Sequence, residues 1–115
     1  MNKYTKNLIY IFSFLFASYS FAAEPAKDTV IIVSADWCTY CHKAKNDINT
    51  DPKLSEVIKS YNVILIDYDV DKDFVSGYNI KTLPTFLVLK NDKKETKRKV
   101  GYKNSNDLVK FLQDK

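Results

Sequence analysis

The residues best suited to chemistry lie close together, in the segment SADWCTYCHK at residues 34–43. Cys38 and Cys41 are the only cysteines of the chain, and His42 is its only histidine. Two thiols and an imidazole at this spacing fit three kinds of site: a structural disulfide, part of a metal site, or a redox-active dithiol. Each kind requires different surroundings, so the neighbouring elements must decide between them.

A structural or metal-binding role explains these residues poorly. The two residues between the cysteines form a loop so short that a disulfide would restrict the unfolded chain little. A structural zinc site takes four ligands, whereas Cys38, Cys41 and His42 supply three. A zinc ion shared between two chains stays open as an alternative. We interpret His42 as an exposed helix residue that modulates the local field.

The elements around the cysteines favour redox chemistry. Residues 29–33 form a continuous β-branched run, which predicts a strand covered on both faces. A helix is predicted from Cys38 to about Thr50, so Cys38 would lie where free N–H groups and the helix dipole favour a thiolate. Cys41 follows one turn deeper in the helix. We therefore expect Cys38 to attack a disulfide and Cys41 to resolve the mixed disulfide.

The rest of the chain predicts a mixed sheet with helices on both faces. Asp51 and Pro52 read as the N-cap and first residue of a second helix. The later predicted elements are a second buried strand at 62–68, a helix at 72–78, a strand at 83–90, an antiparallel strand at 96–101, and a last helix capped by Asn104 or Ser105. Pro84 places the start of its strand at an edge or a bend.

The N-terminal residues have the layout of a secretory signal peptide. Lys3 and Lys6 precede the apolar run of residues 8–16, and small residues follow at Ser20 and Ala22. We predict a signal peptide at 1–22 and one domain at 23–115, in the periplasm or another extracytoplasmic compartment. An uncleaved membrane anchor is the weaker alternative, because the run is shorter than the roughly 20 residues that span a bilayer.

The charge distribution does not predict a nucleic-acid partner. Removal of the leader lowers the net charge from +4 to +2. Residues 90–99 hold a basic cluster, but Asp92 and Glu95 interrupt it and the aromatic spacing of a nucleic-acid platform is absent. The alternating aspartates of residues 67–73 lack the glycine and glutamate of a calcium loop. We interpret the first segment as a solvated hairpin and the second as a strand end and helix cap.

Three landmarks of the sequence together resemble the thioredoxin family. They are WCTYC at 37–41 after a buried strand, TLPT at 82–85 before another strand, and Val100-Gly101 before the last helix. The landmarks occur in family order from about Asp28 to Lys115. The resemblance implies an α/β thioredoxin fold, with a mixed four-stranded sheet and helices on both faces. Few residues precede Cys38 in the mature chain, so we expect the family's first strand and helix to be shortened.

The resemblance also implies roles for individual residues. The expected catalytic pair is Cys38 and Cys41, and the expected substrate-binding residues are Trp37, Leu83 and Pro84. Pro84 would be cis and face the cysteines, while the Leu83 backbone pairs with an extended substrate segment. The residues expected to modulate the site are Asp36, Thr39, Tyr40 and His42. No metal and no other cofactor is expected, because electrons move by thiol exchange.

Finer comparison within the family gives two neighbouring roles. Residues 35–38 and 83–85 resemble the C-terminal periplasmic domain of the membrane electron carrier DsbD, a reductant, whereas residues 40–43 are similar to periplasmic disulfide isomerases. The family commonly has a buried acid where this chain has Ile32, and a lysine where it has Leu65. Without them Cys41 must lose its proton to water or substrate, so we expect slower turnover or a different redox potential.

The expected function is that of an extracytoplasmic thiol:disulfide oxidoreductase, which reduces disulfides in exported proteins. The expected partners are protein disulfide substrates and a membrane-bound thiol electron donor, and the expected state is a monomer. Two alternatives stay open. One is a disulfide oxidase or isomerase. The other is a non-catalytic thioredoxin-fold metal carrier, although His42 is the only Met, His or Cys metal ligand that the mature chain offers besides its two cysteines.

Overall fold

A computed structural model of the protein describes residues 27–91 and 94–114. The predicted signal peptide and part of the predicted turn at 91–92 therefore lie outside the described residues. The helices and strands are, in chain order, β1 (Thr29–Ser34), α1 (Thr39–Thr50), α2 (Pro52–Ile58), β2 (Asn62–Asp67), α3 (Lys72–Gly77), β3 (Thr85–Leu89), β4 (Glu95–Val100) and α4 (Ser105–Gln113). The predicted order of elements is confirmed.

The four strands form one mixed sheet in the order β2-β1-β3-β4. β1 pairs in parallel with β2, and antiparallel pairing joins β1 to β3 and β3 to β4. The parallel pair requires a crossover connection, which α1 and α2 supply. The central strands β1 and β3 are almost completely buried, as their continuous apolar runs predict.

Helices cover both faces of this sheet, because alternate residues of each strand point to opposite faces. The first apolar cluster joins one face to α1, α2 and α4, and its main members are Val30, Ile32, Ala44, Leu54, Ile58, Phe86, Val88, Leu108, Val109 and Leu112. The second cluster joins the other face to α3 and the segment after it, and its main members are Ile31, Val33, Phe74, Val75, Ile80, Leu87 and Leu89. The predicted layered arrangement is confirmed.

The prediction that β2 is a buried strand is wrong. Val63, Ile64 and Leu65 are 44%, 46% and 59% exposed. Among the described residues β2 pairs only with β1, so its outer edge has no neighbouring strand. The apolar run correctly predicts a strand, but such a run looks the same whether the strand has one neighbour or two.

Two polar contacts hold the crossover helices α1 and α2 against the chain around the start of α4. The Tyr102 hydroxyl donates to Asp47 Oδ2 of α1 at 2.6 Å. Burial of the ring, together with this contact, raises the pKa of Tyr102 above its ordinary value. Asp51 caps α2 by accepting from the Leu54 backbone N–H at 3.0 Å, and it also accepts from the Ser105 hydroxyl at 2.8 Å. The predicted cap is thus confirmed, and α1 and α2 are fixed relative to α4.

We expect Asp51→Asn to reduce the acid sensitivity of folding. The hydrogen bonds from Leu54 and Ser105 lower the pKa of Asp51 below the ordinary value of 3.8, so the folded chain holds the carboxylate more strongly than the unfolded chain does. The resulting stabilisation is present above that ordinary value, and it is lost as the pH falls through the lower folded-state pKa.

The measurement is the free energy of unfolding in urea at about pH 6 and about pH 3. The fall between the two should be larger for the wild type than for D51N, whose amide oxygen keeps the cap but does not titrate. Equal falls in the two proteins would contradict the assigned role of the Asp51 carboxylate.

Candidate active site

The cysteine pair lies at the carboxyl end of β1, where α1 begins. The chain leaves β1 at Ser34, turns, and enters α1 with Cys38 as the N-cap residue. The Cys38 backbone N–H donates to Ala35 O at 3.1 Å, and the Cys38 carbonyl accepts from the His42 N–H at 3.2 Å. Cys38 therefore occupies the strand-to-helix junction that the sequence predicts.

Cys38 and Cys41 form a disulfide, with their Cα atoms 5.2 Å apart. Cys38 Sγ also accepts the Cys41 backbone N–H at 3.2 Å, so it lies at the positive end of the α1 dipole. Cys38 is 7% exposed and Cys41 is 1% exposed. An attacking sulfur must be the more accessible of a pair, and Cys38 meets this requirement.

The TLPT and Val100-Gly101 landmarks of the sequence meet beside the disulfide. The Leu83–Pro84 peptide bond is cis, as the resemblance implies. Leu83 packs against the small apolar cluster of Ala35, Cys38 and Cys41, whereas Pro84 is buried. The Pro84 carbonyl accepts the Gly101 N–H at 2.7 Å, and Gly101 has a φ of 84°, which glycine adopts readily. The chain between β4 and α4 is thereby tied to the proline.

Trp37 precedes Cys38 in the chain, and its side chain lies on the surface, 65% exposed. Its indole Nε1 donates to Asp69 Oδ2 at 2.9 Å, and its ring meets Tyr68 edge-on with the ring centroids 6.3 Å apart. Tyr68 also packs against the disulfide cluster. Sequence reasoning missed the role of Asp69, although parallel pairing of β1 with β2 brings the segments after both strands to one edge of the sheet.

The residues expected to modulate the site are exposed around it. They are Asp36, Thr39, Tyr40 and His42. His42 Nε2 lies 2.6 Å from the Asp36 backbone oxygen. A carbonyl oxygen only accepts, so this contact places the ring proton on Nε2. His42 therefore holds the loop that leads into Cys38, a contact that its position in the sequence did not reveal.

The two positions at which the family commonly has a buried acid and a lysine are neighbours in the sheet. Ile32 pairs with Leu65 in the register of β1 and β2. Ile32 is 2% exposed within the first apolar cluster, whereas Leu65 is 59% exposed. Neither position supplies a titratable group, so a proton from Cys41 has no acceptor there.

The aspartates that follow β2 form a local turn. Asp67 Oδ1 accepts the Asp69 N–H at 2.9 Å, and Asp71 Oδ2 accepts the Asp67 N–H at 3.2 Å. Asp71 occupies the N-cap position of α3, as predicted, but its side chain makes no cap hydrogen bond. Within residues 27–91 and 94–114, no three His, Cys, Asp or Glu side chains are grouped to hold a metal ion. No helix in that part of the chain has the length and apolar character of a membrane span.

Comparison with known proteins decides the family. A family model described as a thioredoxin-like domain matches residues 16–115, a range that begins within the predicted signal peptide. The chain belongs to the thioredoxin-like family. The predicted thioredoxin fold is therefore confirmed.

Individual relatives agree with this assignment. Thioredoxin H5 of Oryza sativa subsp. japonica is 32% identical over 94 residues, which are 79% of this chain and 64% of that protein. The crystal structure of thioredoxin NaTrxh from Nicotiana alata is 30% identical with a TM-score of 0.65, and the match covers 77% of this chain and 73% of that one. A thioredoxin-fold protein from Helicobacter pylori shares the fold, with a TM-score of 0.70 at 17% identity over 76% of this chain and 68% of that one. The chain spans about half to two thirds of the length of the first curated relatives it matches.

We expect Asp69→Ala to free the Trp37 indole, because it removes the acceptor of Nε1. Trp37 is the only tryptophan, so the tryptophan fluorescence of the protein reports on this side chain. The anisotropy should fall and acrylamide quenching should rise, with a loss of about 1 kcal/mol in the free energy of unfolding. Asp69→Asn is the control, because its amide oxygen still accepts. Indistinguishable fluorescence of D69A and wild type would show that the bond does not hold the ring.

Proposed function

We propose that the protein is a thiol:disulfide oxidoreductase that reduces disulfide bonds in exported proteins. The observation that carries this proposal is the Cys38–Cys41 disulfide at the N-terminus of α1, packed against Leu83 of the cis-proline loop. The thioredoxin names of the relatives support the same chemistry. A structural disulfide would have no need of a helix N-terminus or of the exposed surface beside it.

The first step is an attack on the substrate by the reduced pair. The Cys38 thiolate, stabilised at the end of the α1 dipole, attacks one sulfur of a substrate disulfide. A bond forms between Cys38 Sγ and that sulfur, the substrate S–S bond breaks, and the second substrate sulfur leaves as a thiolate. The electron pair of the broken bond goes with the leaving sulfur, which then takes up a proton.

The second step releases the reduced substrate. Cys41 lies one turn along α1, with its backbone N–H on Cys38 Sγ, so its thiolate can attack that sulfur. The Cys38–Cys41 bond forms, the mixed disulfide breaks, and the first substrate sulfur leaves as a thiolate. Two electrons have then passed from the protein to the substrate, and a dithiol donor must return them. With Ile32 and Leu65 apolar, the Cys41 proton passes to water or to the substrate.

The surface around Cys38 suits an extended protein segment. Trp37 and Tyr40 are 65% and 59% exposed and supply apolar area beside the sulfur. The Leu83 backbone next to the cis bond pairs with the docked segment in the manner of an added strand. Trp37, Leu83 and Pro84 thus keep the substrate-binding roles that the resemblance implies.

The compartment and the electron donor are the finer part of the proposal. The layout of residues 1–22 supports export through a signal peptide. Reduction in an oxidising compartment needs electrons from elsewhere, and a membrane-bound thiol protein is the donor class that can carry them across.

We expect Cys41→Ser to trap substrates as mixed disulfides on Cys38, because the resolving thiol is absent. Wild type should reduce insulin, and C41S and Cys38→Ser should both lose turnover by at least about a hundredfold. C38S/C41S is the control for non-specific capture and should trap nothing. Absence both of trapped protein on C41S and of insulin reduction by wild type would exclude the proposal.

The reduction potential of the pair decides the direction of electron flow. We expect a value nearer to about −270 mV than to about −120 mV for the wild type equilibrated with glutathione. A value near the upper figure would instead assign the protein to disulfide formation.

We expect the mature protein to begin at Ala23. Expression of the full chain in a bacterial host, followed by fractionation and mass spectrometry, should recover residues 23–115 outside the cytoplasm. Ala22→Tyr should leave an uncleaved precursor, because a bulky residue replaces the small one that the peptidase requires. Recovery of the full-length chain in the cytoplasm would exclude export.

A further inference from the structure

The two edges of the sheet differ in how they are protected. β4 carries Glu95, Lys97, Arg98 and Lys99, and its register with β3 shifts between Val88 and Leu89. Charges and irregular register are devices that keep an edge strand from pairing with another chain. β2 has neither: its residues 63–66 are uncharged and its register with β1 is unbroken. Among the residues that the structure describes, nothing pairs with the outer edge of β2, which is therefore open to pairing.

The unpaired edge also exposes apolar side chains on both faces of the sheet. Val63 and Leu65 are exposed on one face, and Ile64 is exposed on the other. On the Ile64 face, a groove of about 340 Å³ lies beside the amino end of the strand, lined in part by Ile31, Tyr78 and Leu89. Covering these side chains would contribute favourable free energy in addition to the hydrogen bonds of a new strand.

The charges at the two ends of β2 indicate what covers it. The carboxyl end is followed by the four aspartates of residues 67–73, with Lys72 as the single base among them. Around the amino end lie Lys27, Lys59 and Lys90, together with Asp28 and Glu56, which forms an ion pair with Lys59 at 3.5 Å. One end of the edge is thus strongly acidic and the other is weakly basic.

We propose that the β2 edge binds the β2 edge of a second copy of this chain in antiparallel orientation. An antiparallel copy places the acidic end of each strand beside the basic end of the other, twice in one interface, whereas a parallel copy would bring the two acidic ends together. A twofold axis through Ile64 or Leu65 keeps like faces together. The product is an eight-stranded sheet that runs through the dimer, in place of the monomer expected from the sequence.

The inference is independent of the proposed redox function, since it uses no cysteine. It does place the interface next to the site, because the carboxyl end of β2 leads to Asp69, which holds Trp37. The amino end of each β2 then borders the active-site loop of the other copy.

Sedimentation equilibrium of the oxidised full chain tests the inference. We expect a weak monomer–dimer equilibrium, because one strand pair buries less than the roughly 800 Å² per partner of a standard interface. Leu65→Lys places a charge on the edge and should weaken the dimer at least tenfold. Val100→Lys is the matched control, because Val100 is 56% exposed on the opposite edge strand, and it should leave dimerisation unchanged.

Salt gives a second prediction from the same samples. Since unlike charges meet at both ends of the interface, raising the ionic strength from about 0.05 M to about 1 M should weaken the wild-type dimer. A wild type that is monomeric up to about 1 mM, or an L65K variant that associates as strongly as V100K, would overturn the proposal. Tighter association at high salt would overturn the antiparallel orientation.

Hydrogen exchange on the wild type distinguishes the possible covers without any variant. A second copy predicts that protection of the β2 amides rises with protein concentration. Lys27 lines the groove, so the chain's own residues before it are the alternative cover. Cover by these residues predicts protection that is independent of protein concentration. Unprotected outward amides at every concentration would show a bare edge. Either of the last two results overturns the proposal, even if L65K fails to fold.

Discussion

The parallel pairing of β1 with β2 is the constraint on which the site depends. Parallel neighbours cannot be joined by a tight turn, so the chain must cross back through α1 and α2. That crossover starts α1 directly at the end of β1 and puts the Cys38 sulfur on its first free N–H groups. The same pairing brings the segment after β2 alongside, where Asp69 fixes the indole of Trp37. The position of the Cys38 sulfur and the contact that holds Trp37 are thus products of one strand pair.

The fold was predictable where local chemistry determines local structure. The N-caps at Asp51 and Asn104 and the apolar runs of β1 and β3 each specify their element without knowledge of its neighbours. The exposure of β2 was not predictable on these grounds, because burial of a strand depends on what lies beside it. The apolar run predicts a strand, but its residues do not indicate whether another strand lies beside it.

The candidate site shows the same division. Cys38, Cys41 and Pro84 were recognisable because they are close in sequence or belong to a short motif. The contacts of Trp37 with Asp69 and of His42 with the Asp36 carbonyl were not, since they depend on side-chain direction at the end of the sheet. The sequence alone assigns Asp69 only to an acidic turn and His42 only to an exposed helix position.

The low exposure of Cys38 has a consequence for the proposed reaction. With 7% of the residue open to solvent, the sulfur can be reached only through a small opening. Displacement at a disulfide requires the three sulfurs to lie nearly in line, so the target bond must protrude or sit in a chain segment that can be drawn out. Disulfides buried inside a folded protein cannot take up this position. The proposed reaction is therefore limited to disulfides that protrude from the target or lie in a segment that can be drawn out of it.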